Sequence, residues 1–183
     1  MRTNAHILGL AVLALLIVAS GGPAVDAAML PKDPCALVKG AEIQAISANA
    51  KVGSGKSIPD PAGFAVGCTY EWGTRTREWG MSSLQINVTD TSKVWPNGLS
   101  PDDIKQRVLV MVKMGGPDSA QISGIGDGAL FTTDPKAHNA SATAFVVKAK
   151  GVLLEVVFHG DGGDALAKKD NLTGLLKLAA SRL

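Results

Sequence analysis

Residues 83–89 alternate without a break: Leu84, Ile86 and Val88 point one way, and Ser83, Gln85 and Asn87 the other. A period of two over that length predicts a strand with one buried face. Residues 68–72 repeat the pattern, with Cys68, Tyr70 and Trp72 on one side. Residues 142–149 and 152–159 are the strongest strand pair, and Gly151 supplies the positive φ that a two-residue hairpin turn between them requires. Two shorter strands, 121–125 and 129–132, are expected around Gly124-Ile125-Gly126-Asp127-Gly128. There Gly126 and Gly128 give the backbone freedom and Asp127 bonds its own turn amides.

Helical spacing occurs in three places. Asp33 and Pro34 make a helix start, followed by a broken stripe of Leu37, Ile43 and Ile46, which Gly40 can divide into a short turn and a helix. Ser100-Pro101-Asp102-Asp103 opens a second helix with a capping-box pattern; Ile104, Val108, Met111 and Val112 fall on its inner face, and Gly115-Gly116-Pro117 ends it. A last helix covers about 164–182, with Leu166, Leu172, Leu175, Leu176, Ala179 and Leu183 as its buried stripe. Residues 50–67, rich in Gly, Pro, Ser and Lys, read as a loop. Consecutive hairpins imply an antiparallel sheet and the helices must cover at least one face of it, so the predicted class is α+β.

One apolar run belongs to neither pattern. Residues 7–18 are almost all Leu, Ala, Val and Ile behind the single charge of Arg2, too short to span a bilayer and of the right length for a signal peptide. Val25 and Ala27 satisfy the small-x-small rule for cleavage after Ala27, which makes 1–27 a signal peptide and 28–183 a single exported domain. Residues 17–21 resemble a lipoprotein box, but Gly21 stands where the acylated Cys must be, so no stable membrane anchor is expected after cleavage.

Of 18 basic and 16 acidic residues, only Arg2 and Asp26 fall in the leader, which leaves 17 and 15. So even a balance gives no reason to expect nucleic acid as a partner. Export, periplasmic or to the medium, puts Cys35 and Cys68 in an oxidising compartment, where two cysteines most simply form one structural disulfide; two buried free thiols or a redox pair are the alternatives. With no third thiol, and with His138 and His159 away from ligand spacing, no metal and no cofactor are expected.

"Asp-Pro-Cys-Ala-Leu-Val" heading a helix, "Gly-Cys-Thr-Tyr-Glu-Trp" on a strand, and "Ile-Ser-Gly-Ile-Gly-Asp-Gly-Ala" before a hairpin and a C-terminal helix resemble a group of small exported bacterial domains of unknown function. Many of that group are actinobacterial lipoproteins, and some relatives are extracellular sensor domains. The resemblance implies a PsbP-like sandwich and supports bonding Cys35 to Cys68. It brings no catalytic residues.

Candidate chemistry is thin. Residues 50–57 match a relaxed nucleotide-loop pattern ending in Lys56-Ser57, but a phosphate cradle needs a strand before it and a helix after it. Pro59 and Pro61 forbid that helix, so a surface loop is expected. Tyr70 and Trp72 read as core; Trp79 and Trp95 flank loops and, with Arg75 and Arg77 as a rim, form the candidate ligand or partner surface. The first functional reading is a non-catalytic envelope module that binds a protein, a peptide or a small amphiphile through a sheet face or that aromatic region. The alternative is an exported hydrolase with a site near His159, Asp161 and Asp164. A purely structural component is the third.

Overall fold

Two antiparallel meanders share one seven-stranded sheet. The first is β1 (Lys56–Pro59), β2 (Ala65–Thr76) and β3 (Gly80–Asp90); the second is β4 (Ala120–Ile122), β5 (Gly128–Asp134), β6 (Asn139–Val146) and β7 (Val152–His159). The last strand returns to pair with β3, which sets the order β1-β2-β3-β7-β6-β5-β4. Helix α1 (Gly40–Ile46) precedes the sheet, α2 (Thr91–Val94) and α3 (Pro101–Met114) link the meanders, and α4 (Lys169–Ser181) closes the chain. This computed structural model describes residues 29–47, 51–76, 80–134, 139–146, 151–160 and 164–183. The expected leader lies outside them.

The predicted alternation decides which residues face the core. In successive register rows Val66, Val88 and Leu154, then Cys68, Ile86 and Val156, then Tyr70, Leu84 and Phe158, share the first face. All of these except Val66, which is half-buried, are buried. The stripe Leu172, Leu175, Leu176 and Ala179 of α4 packs onto this face with Leu37, Val38 and Ile43. Cys35 is bonded to Cys68, and the Tyr70 hydroxyl donates to the Cys35 carbonyl at 3.1 Å beside that bridge. The disulfide fits an oxidising location. Among the described residues no helix is long and apolar enough to cross a membrane.

Among the described residues the second face is only partly covered. Ile104 and Val108 of α3 pack on Leu130 of β5, with Leu99, Val112 and Leu153 around them. The helix starts where expected, with Ser100 as N-cap and Asp103 completing the capping box. Gly128 lets it come close, because a Cβ there would lie 2.7 Å from an Ile104 methyl. The positive φ values in this turn belong to Gly124 (76°) and Gly126 (53°), so Gly128 serves packing and not the turn. Gly151 has the expected positive φ of 61°.

Three expectations change. Residues 56–59 form edge strand β1, paired to β2, where a loop was read; all four are exposed, so no alternation marks them. The last helix begins at Lys169, behind a 3₁₀ turn at Ala165–Ala167. Val146 pairs with Val152, so the connection between β6 and β7 is longer than the two-residue turn expected. As the glycine suggested, Gly40 divides a short turn, the 3₁₀ turn Pro34–Ala36, from helix α1. The α+β class, the antiparallel sheet and the disulfide are as expected.

Candidate functional site

The polar positions of β2, β3 and β7 meet on the second face, beyond the ground that α3 covers. One register row runs Gly67, Asn87, Glu155, Thr143; the next runs Thr69, Gln85, Val157. Thr69, Gln85, Asn87, Glu155 and Val157 are all half-buried. Period-two alternation put them there, since each has an inward-facing neighbour in the core.

At the β1 side of this surface lies an open depression of about 210 Å³, lined on this face by Ile58, Ala65 and Gly67, with Asp60, Asn87, Thr89 and Glu155 as its polar groups. Gly67 keeps it open: a Cβ at that position would lie 2.9 Å from Asn87 Oδ1. Asp60 closes the turn after β1 by accepting from the Ala62 and Phe64 amides, both at 3.0 Å. Those amides hold its carboxyl below the usual range. Glu155 differs. Burial pushes its carboxyl up, opposed only by the hydrogen bond that Thr143 donates to it. No lysine, arginine or histidine is among the residues lining the depression. A carboxylate pressed into a sheet face without a counter-charge is costly, and such groups concentrate at functional sites.

The residues singled out from sequence are dispersed. Trp95 follows α2 and packs half-buried beside Ile104, Val108 and Leu130, with the Arg107 guanidinium 5.0 Å from its ring centre. Arg75 stands at the far end of β2, beside the Thr76–Gly80 pair. Trp95 packs against Leu130, which lies in the register row of Thr143, Glu155 and Asn87, away from the Thr76–Gly80 end of the sheet. Arg77 and Trp79 lie outside the described residues. Tyr70 and Trp72 are in the core, and Trp72 stacks on Phe158 with ring centres 6.2 Å apart.

For the hydrolytic set, alternation places His159 on the second face. Asp164 is occupied as a cap, accepting from the Leu166 amide at 2.9 Å and from Ser47 Oγ at 3.2 Å, on the way into the helix that packs on the first face. Asp161 lies outside the described residues. Lys56 and Ser57, the end of the nucleotide-like pattern, sit on strand β1, with Lys56 paired to Glu71 at 3.7 Å. Among the described residues no group of three or more His, Cys, Asp or Glu side chains could hold a metal ion.

Sequence reasoning passed over Glu155. Its signal was present: a lone charge inside Val152-Leu-Leu-Glu-Val-Val-Phe158. Nothing local singles that position out, and only the pairing register sets it between Asn87 and Thr143. No known protein family, curated protein or solved structure matches this chain.

Proposed function

We propose that this chain is an exported, non-catalytic binding module of the bacterial envelope, and that it engages its ligand through the uncovered half of the second sheet face. The observation that carries this reading is the half-buried polar surface of Thr69, Gln85, Asn87 and Glu155, set beside a depression and held on rigid strands. Rigid elements hold a binding constellation more exactly than loops do. The resemblance to small exported actinobacterial domains points the same way, as does a bridge between Cys35 and Cys68 that needs an oxidising compartment.

The test is native mass spectrometry of protein recovered from the cells that export it, beside a Thr69→Arg/Gln85→Arg variant that keeps the wild-type circular dichroism. A non-covalent adduct on the wild type that the variant lacks is the expected result. Equal adducts on both, or turnover of ester, amide or phosphate substrates by the wild type, would overturn the reading.

A further inference from the structure

We infer that the partner of the open sheet half is a second copy of this chain, which lays its own α3 across β2, β3 and β7 in a two-fold dimer. The inference rests on the binding-module reading and names the partner of the same surface.

The helix supplies the first argument. α3 meets the sheet over β5 and β4, and runs from Gly128, under Ile104 and Val108, to Thr133, whose carbonyl accepts from the Gly116 amide at 2.8 Å. Of its 14 residues only Ile104 and Val108 are buried. Leu109, Val110, Met111 and Met114 are exposed, Met114 at 81%. A concentration of exposed apolar side chains on one short helix marks an interaction surface. Arg107, Val110, Met111 and Met114 follow the spacing of one helix flank. Arg107 gives its direction: the guanidinium lies over Trp95, which reaches α3 from the end of β3 through α2. The flank therefore looks across β7 and β3, over the open half. Leu109 and Lys113 lie on the opposite side from Ile104 and Val108, turned away from the sheet.

Charge and size say what covers these strands. From Ile104 to Met114 the only charged residues of the helix are Lys105, Arg107 and Lys113, all basic. Across the open half Asp60 and Glu155 line the depression with no basic residue among its lining, and Lys56 is already matched by Glu71. A helix that is apolar and basic on its free sides suits this acidic strip, and the chain carries such a helix itself. A two-fold axis lets each copy satisfy the other at once. The apolar side chains find partners too: Val157 is half-buried on this face, and Ile58 and Met81 are exposed on it. Three strands at ~4.8 Å span about 14 Å, room for one helix of ~10 Å diameter. Helix and strand footprints of that width, about 21 Å long and met twice by symmetry, bury on the order of 1,200 Å², which is where stable interfaces begin. In this arrangement the Val110 and Met114 flank meets its twin across the axis, and Leu109 and Lys113 meet the partner copy's strands.

The test is sedimentation analysis of the disulfide-bonded protein over a concentration series, with isotope-filtered NOE spectra of a mixture of labelled and unlabelled copies. A reversible dimer is expected, with intermolecular NOEs from the Leu109 methyls to Val157 and Gln85. Val110→Asp/Met114→Asp changes only exposed positions and should keep the wild-type circular dichroism while weakening the dimer at least about tenfold, as a charge buried in an interface does. Thr69→Arg/Gln85→Arg should weaken it as much from the strand side. A wild type that stays monomeric, a dimer that survives either double substitution, or a dimer without those NOEs would each overturn the second copy. A monomer whose native mass spectrum shows an adduct that Thr69→Arg/Gln85→Arg abolishes would leave the binding-module reading intact; a monomer without such an adduct would remove it as well.

Discussion

Replacing Cys35 and Cys68 together by alanine removes the bridge that ties the 3₁₀ turn Pro34–Ala36 to β2. The two sulfurs close a loop with a sequence separation of 33. Loop-closure entropy for that length is about 12.5 cal/mol/K, or ~3.7 kcal/mol at 25 °C. A domain of about 155 residues unfolds with an entropy near 0.33 kcal/mol/K, so the expected fall in Tm is about 11 °C. Cys68 is part of the core beside Ile86, but alanine keeps that position apolar and the rest of the core, Leu84, Val156 and Leu176 among it, is unchanged, so the variant should still fold. The Tyr70 hydroxyl, which bonds the Cys35 and Val38 carbonyls, should keep the turn in place. Urea unfolding followed by circular dichroism reads the free energy and a thermal scan reads the Tm; the m-value should rise, because the uncrosslinked chain exposes more surface when it unfolds. A loss below about 1 kcal/mol with an unchanged m-value would refute the loop-closure reasoning.

Three further outcomes are expected. Glu155→Gln should raise Tm at pH 7. Its carboxyl titrates above the ordinary range in the fold, so wild type gives up stability as pH rises from the ordinary Glu range through the raised value, and the gain should vanish below pH ~4, as thermal scans across pH would show. Glu42 has the opposite sign: the bidentate Arg182 side chain and the Lys39 amide lower its pKa to about 2, so its contribution is present above the ordinary Glu range and lost as pH falls toward 2. Glu42→Gln should therefore lower Tm by about 2–4 °C at pH 7 and by nothing at pH 2. Gly55→Ala should cost about 1–3 kcal/mol in urea unfolding, because its Cβ would lie 2.6 Å from Cys68 Sγ and 2.7 Å from the Tyr70 ring.

Where local chemistry and tertiary contacts agree, the elements can be read from sequence. β7 has the predicted bounds: its buried positions, Val152, Leu154, Val156 and Phe158, alternate with less buried ones. α3 begins at Pro101 because Ser100 and Asp103 satisfy its first amides with no outside help. β1 exists only through its pairing with β2, and exposed Lys56, Ser57, Ile58 and Pro59 carry no trace of that. α2 is a single turn that Asp90 caps through the Ser92 amide, too short for any periodicity. The depression was the least legible part. Asp60, Asn87 and Glu155 are far apart in sequence, and each has an ordinary local reading: a turn, a strand polar position, a solvated charge. Trp95, an aromatic beside a loop that suggested a contact surface, is half-buried, and its apolar neighbours on α3 and β5 and the Arg107 cation were not legible in the local sequence.

A photo-crosslinking residue at Gln85, on the uncovered sheet half, can be compared with one at Lys177, on the exposed side of α4, in cells that export the protein. Ligand binding through the open strands predicts a discrete adduct at position 85 and none at 177. An adduct at 177 with position 85 silent would contradict it.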